Sequence, residues 1–243
     1  RRAAEGVAPR AAWLALARLE QAQGDWHAAG LAAGRALAHA ADSGDVEAIR
    51  VAQGRYAPDR DEANPDGTGE RSAHFEIING VSLMGGYAGL GAGDPDARDV
   101  VLYETVLSGD LAGDDQPDFV NNAENSLHVL SGAGCDGTAV LDGFTISGGN
   151  ADEDRGGGGG GMCSEAGCPT LIDCTFTANA ADMGGGMCNC NNSSPTLIGC
   201  TFAGNHAVFT GAGMYNSYGS HPALIDCNFI ANVSDDSGAG MYN

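Results

Sequence analysis

From residue 156 onward the sequence copies itself, and that copying limits the available folds more than any other feature. Gly184-Gly185-Gly186-Met187-Cys188-Asn189 returns as Gly211-Ala212-Gly213-Met214-Tyr215-Asn216 and again as Gly238-Ala239-Gly240-Met241-Tyr242-Asn243. Gly160-Gly161-Met162-Cys163 foreshadows the block, and the four methionines lie 25, 27 and 27 residues apart. A second block, Pro169-Thr170-Leu171-Ile172-Asp173-Cys174-Thr175-Phe176, recurs at Pro195 and Pro222, with its cysteines stepping by 26 and 27. A period of this size means one structural unit per repeat, each burying its apolar face only against its neighbours.

The apolar runs are short and bounded by Gly, Asn, Asp and Pro, which marks strands rather than helices. The Leu-x-x-Leu-x-Leu signature of leucine-rich repeats is missing. The reading is all-β, a parallel β-helix over residues 47–243. Cys174 and Phe176 share parity and should face inward, with Thr175 outward. Stacking then places Cys174, Cys200 and Cys227 in one column and Phe176, Phe202 and Phe229 in another. Met187, Met214 and Met241 form a third. The glycines ahead of each Met allow a tight corner, and the Asn behind it suits a left-handed turn. Earlier strands are expected at 48–52, 75–83, 99–107, 126–130 and 139–146, with loops at 58–71 and 109–125. The 197 residues of this region predict seven to eight coils.

The N-terminal 46 residues differ in chemistry. They are rich in Ala and Leu, and Gly24-Asp25 separates two stretches with helical spacing. Trp13, Leu16, Ala17, Trp26, Ala29, Ala36 and Leu37 resemble a single tetratricopeptide unit, although Ala41 stands where that family closes with proline. The expected element is a helical hairpin or a cap over the open end of the stack. Charge divides near the same place. Residues 1–60 carry eight Arg against seven acids, and residues 61–243 carry three Arg against 25 acids.

The formal charge of −21 argues against nucleic acid as a partner. All 11 basic residues are Arg, so lysine-dependent Schiff-base, pyridoxal-phosphate and P-loop chemistry is excluded. No run of 18 apolar residues is present, so no membrane span is expected in this segment. The poly-glycine run at 156–161 satisfies G-x-G-x-x-G, but no helix is expected after it. The segment reads as part of a longer chain.

A metal site is expected in one loop. Residues 109–118 set Asp110, Asp114, Asp115 and Asp118 within nine positions, a hard-oxygen set suited to calcium. Ala112 and Asp115 break the EF-hand pattern, and the alternative is a solvated acidic loop. Eight cysteines, an even number, suit an oxidising compartment. Cys174, Cys200 and Cys227 nevertheless read as buried, reduced packing residues. Cys163 and Cys188 should face outward on adjacent coils. Cys163 with Cys168 offers a short loop closure, Cys188-Asn189-Cys190 a weak metal or cross-linking pair, and Cys135 has no evident partner.

The repeat blocks resemble the glycine-rich repeats of right-handed parallel β-helix proteins related to the polymorphic outer-membrane proteins of chlamydiae. Val51-Ala52-Gln53-Gly54-Arg55-Tyr56, Val106-Leu107-Ser108-Gly109-Asp110 and Leu141-Asp142-Gly143-Phe144-Thr145-Ile146 look like early coils of that group. The resemblance implies a secreted or cell-surface scaffold with a structural or adhesive role. A surface polysaccharide or another extracellular ligand is the expected partner, and calcium the cofactor to test. The alternative is a polysaccharide lyase or glycoside hydrolase of the pectin-lyase-like fold. That chemistry needs a base beside clustered Asp, yet Arg155 is the sole basic residue besides His between 99 and 243. A guanidinium with a pKa above about 12 is a poor base. Catalysis is therefore not expected, and no catalytic residue is assigned.

Overall fold

A computed structural model describes residues 47–61, 63–152 and 158–243. The expected helical hairpin, Arg155 and the start of the poly-glycine run lie outside the described residues. The described chain is a parallel β-helix built from four stacked sheets. Sheet I takes Glu47–Ala52, Val81–Tyr87, Val140–Asp142, Thr170–Ile172, Thr196–Ile198 and Ala223–Ile225. Sheet II takes Gly54–Tyr56, Thr105–Ser108, Thr145–Ser147, Thr175–Thr177, Thr201–Ala203 and Asn228–Ile230. Sheet III has four strands, Asn150–Ala151, Ala180–Met183, His206–Thr210 and Val233–Ser234. Sheet IV runs from Phe75–Glu76 and Leu130–Ser131 through the methionine strands to Met241–Tyr242.

Like pairs with like, as the repeat requires. Thr170, Leu171 and Ile172 lie opposite Thr196, Leu197 and Ile198, and Met187 pairs with Met214. The inward columns are essentially free of solvent, with Leu171, Leu197, Cys174, Cys200, Phe176, Phe202, Met187 and Met214 all at 0% exposure. Phe176 stacks on Phe202 at 4.7 Å and Phe202 on Phe229 at 4.9 Å, with ring planes within 6°. Each such aromatic pair adds roughly 0.5–1.5 kcal/mol beyond simple burial. Thr175 and Thr201 stay partly exposed, in keeping with the expected parity.

Coil length varies at one place. Ala181 pairs with Ala207, but Met183 pairs with Thr210, so the longer coil carries an extra residue in sheet III. The extra length is absorbed as a bulge, leaving Val208 and Phe209 exposed. Gly184 and Gly211 turn the next corner at φ of +65° and +66°. Gly186 and Gly213 answer a different need, since a Cβ on either would stand 2.5 or 2.4 Å from the carbonyl of the next coil.

Three expectations are corrected. The described chain holds six coils rather than seven to eight, because residues 57–74, 88–104 and 109–129 are inserts outside the repeat. The 99–107 strand shrinks to Thr105–Ser108, and the 126–130 strand to Leu130–Ser131. The Asn after each Met is not a turn residue. Asn189 lies within its strand and Asn216 ends the next, both buried, and Asn189 Nδ2 donates to Asn216 Oδ1 at 2.8 Å. Another left-handed corner falls just before Phe144 and each repeat Cys, at Gly143, Asp173, Gly199 and Asp226.

The first two coils lack a sheet III strand. In its place stand the inserts 57–74 and 109–129, side by side, with Arg60 Nη2 donating to the Leu111 carbonyl at 3.3 Å. Arg71 ties them to the stack. Its Nε donates to the Asn125 carbonyl at 2.8 Å, and its Nη2 to the Asn150 carbonyl at 2.9 Å and to Asp152 Oδ1 at 2.6 Å.

Candidate functional site

The acidic insert leaves sheet II immediately after Ser108. Asp110 is buried at this exit, and its Oδ1 accepts from the backbone N–H groups of Gly113 at 2.7 Å and Asp114 at 3.1 Å. This Asx-type turn folds the chain back over the strand end and sets Asp114 above Asp110. Arg55 Nη1 donates to Ser108 Oγ at 2.6 Å and stands 3.7 Å from Asp110 Oδ2.

The insert then makes a hairpin-like excursion. Gln116 and Val120 pair across its base, and Asp118 and Phe119 occupy the tip at φ of 62° and 61°. Phe119 rests against the His206 ring, with centroids 5.6 Å apart. The short turn Asn122–Glu124 brings the chain back, and Glu124 with it. Carboxylate oxygens of Asp110, Asp114 and Glu124 all lie within 4.8 Å of one another. Asp115 flanks this trio, and its Oδ2 accepts from Asn125 Nδ2 at 2.8 Å. Burial raises the Asp115 carboxyl above the ordinary range, and the charges of Asp110, Glu124 and Asp114 push it further the same way.

Of the four residues expected to share a cation, Asp110 and Asp114 come together and Asp115 stands beside them. Asp118 sits at the exposed hairpin tip, outside the converged oxygens. Glu124 takes its place. Sequence spacing could not find Glu124, since only the reversal at 116–120 carries it back. Its one signal is that it is the sole Glu in the loop that holds the four aspartates.

A second cluster lies on the outer face of sheet IV. Cys163 pairs with Cys188, and Glu165 with Cys190, on neighbouring coils. Burial pushes the Cys163 thiol up to about 11, and raises Cys188 and Cys190 as well. These thiols are protonated at neutral pH, which makes them poor nucleophiles. All eight cysteines carry free thiols in this structure. Cys135, for which the sequence offered no partner, donates to the Ile77 carbonyl at 2.9 Å.

Further along sheet IV the outward positions become aromatic. Tyr215 stacks on Tyr242 at 5.7 Å, and Tyr218, in the turn after the Tyr215 strand, is 80% exposed. An open cleft of about 440 Å³ is lined by Tyr218, Ser217, Ser220 and His221 and by the inward-column residues Leu224 and Met241, without Tyr215 or Tyr242. Among the described residues, no helix is long and apolar enough to cross a membrane.

The chain matches no family model, no curated protein and no solved structure. The fold therefore rests on strand register, and what stands is a stacked parallel β architecture.

Proposed function

We propose that this chain is a non-catalytic binding scaffold working outside the cell or at its surface, with carbohydrate as its ligand class. The observation that carries the reading is the stacked tyrosine pair on sheet IV together with the exposed Tyr218 in the turn that follows. Tyr215 and Tyr242 offer a stacked pair of aromatic faces, and the exposed Tyr218 lines a cleft edged with amide, hydroxyl and imidazole groups. Flat apolar faces with a few fixed polar groups at the rim suit sugar rings, whose faces are apolar and whose edges carry hydroxyls. The stacked coils hold those groups in a rigid frame, so little ordering entropy is lost on binding. The likeness to the chlamydial repeat group supports the surface location and the adhesive role.

A glycan array followed by calorimetry tests the proposal. Saturable binding of at least one oligosaccharide is expected, weakened at least tenfold by Tyr218→Ala combined with Tyr215→Ala. No binding across a broad array, repeated with calcium present, overturns it. Release of unsaturated products from polyuronates would replace it with the lyase reading.

A further inference from the structure

We propose that the insert 109–129 binds one calcium ion through Asp110, Asp114 and Glu124, with Asp115 at the edge of the shell. The inference goes beyond the scaffold reading and stands without it. Converging carboxylates alone would not carry it, because acidic loops are commonly just solvated. The decisive observation is the distribution of buried side-chain oxygens that lack a hydrogen-bond partner.

Six such atoms occur among the described residues, and four belong to Asp115, Glu124, Asn125 and Ser126. Asn125 is 1% exposed and its Oδ1 has no partner. Its Nδ2 is fixed on Asp115 Oδ2 at 2.8 Å, so amide geometry holds the orphan carbonyl within about 5 Å of that carboxylate. Asp115 Oδ1 and Glu124 Oε1 are likewise buried and unpaired. Ionised carboxylates and amide carbonyls only accept, so these atoms cannot satisfy one another. Leaving a buried acceptor empty is costly, and leaving several charged ones empty is more so.

Charge points the same way. Asp110, Asp114, Asp115 and Glu124 carry four negative charges, against Arg55 at 3.7 Å from Asp110 and Arg60 on the neighbouring Leu111 carbonyl. Arg71 faces Asp152, and Arg98 is held by Asp142 at 2.5 Å and by the Gly85 carbonyl at 2.9 Å. A divalent cation would supply both the missing charge and the missing partner for the acceptors. The converged carboxylates select a hard ion. Two oxygens on one calcium are at most about 4.8 Å apart, twice a ligand distance of about 2.4 Å. Asp110, Asp114 and Glu124 meet that limit. Calcium also tolerates the irregular shell a loop provides, whereas magnesium demands near-octahedral geometry. Asp114 is exposed, which gives the ion a path from solvent.

The test uses the full chain, stripped with chelator and titrated calorimetrically with calcium chloride and then magnesium chloride at constant ionic strength. One calcium per chain is expected, bound at least tenfold more tightly than magnesium. Asp114→Asn or Glu124→Gln should each weaken calcium at least tenfold, and the double variant should abolish binding. Asp66→Asn, an exposed acid elsewhere, should leave it unchanged. Far-UV circular dichroism establishes that each variant is folded, and direct terbium luminescence gives an independent readout of the site. Saturating calcium should raise Tm by about 5–10 °C in the parent chain and not in the double variant. No saturable binding up to about 10 mM calcium, beyond the 10⁻⁴–10⁻³ M range of weak calcium modules, would overturn the proposal. So would undiminished binding in the folded double variant, or magnesium bound as tightly as calcium.

Discussion

Coils one and two, residues 47–139, and coils three to six, residues 140–243, share one architecture and use it differently. From coil four onward the inward columns repeat, Leu on Leu, Phe on Phe, Met on Met and Asn on Asn, while coil three still sets Ile146 opposite Phe176. In the earlier coils the columns are mixed, Leu107 meeting Ile146 and Phe75 meeting Leu130, and three inserts interrupt the coil. The converged carboxylates lie in one of those inserts. Copying builds stability, because each added coil buries the same surface against the same surface. Interruption builds chemistry, because an insert escapes the spacing that stacking imposes.

Four measurements probe that contrast. The largest effect should come from Phe202→Ala, which empties the middle of a three-ring stack at full burial. It should cost about 3–5 kcal/mol in urea denaturation. A loss below about 1 kcal/mol would mean that the column is not what holds the later coils together. Next is Asn205→Ala. Asn205 Nδ2 donates to the Phe176 carbonyl at 2.9 Å and to Asn232 Oδ1 at 2.9 Å, and its Oδ1 accepts from Asn179. Removing it strands several buried groups, and about 2–3 kcal/mol should be lost.

The third effect is a pH dependence. Unfolded thiols ionise near about 8.5, while burial holds Cys163 at about 11 and raises Cys188 and Cys190. The folded chain keeps protons that the unfolded chain releases, so stability falls as pH climbs from about 8.5 toward 11. Urea midpoints across that range should decline in the parent, and less steeply when Cys163 and Cys188 are both replaced by Ser, since Cys135, Cys190, Cys200 and Cys227 are raised as well. The smallest effect should be Asp114→Asn measured in chelator. An exposed side chain in an insert should change stability by less than about 0.5 kcal/mol, so a large loss would merge the two regions' roles.

Legibility followed the same division. Cys174, Phe176 and Met187 could be assigned inward from their spacing alone, since a period of 26 or 27 leaves one register in which like meets like. The Asn after each Met was misread as a turn residue for a physical reason. Asparagine serves left-handed corners and buried side-chain ladders equally well, and only the neighbouring strand supplies the partner that decides. The acidic loop was visible as composition, but its membership was not. Asp118 and Glu124 look equivalent in sequence. The turn at Asp118–Phe119 leaves the first at the exposed tip and returns the second to Asp110.

The sequence by itself determined the coil, its period and the identity of the columns, because stacking turns a one-dimensional repeat directly into neighbours in space. Tertiary structure alone decided how many coils the early residues make, which acids converge and which buried oxygens remain unsatisfied. Those outcomes depend on where irregular backbone turns back on itself, and no repeated neighbour encodes that.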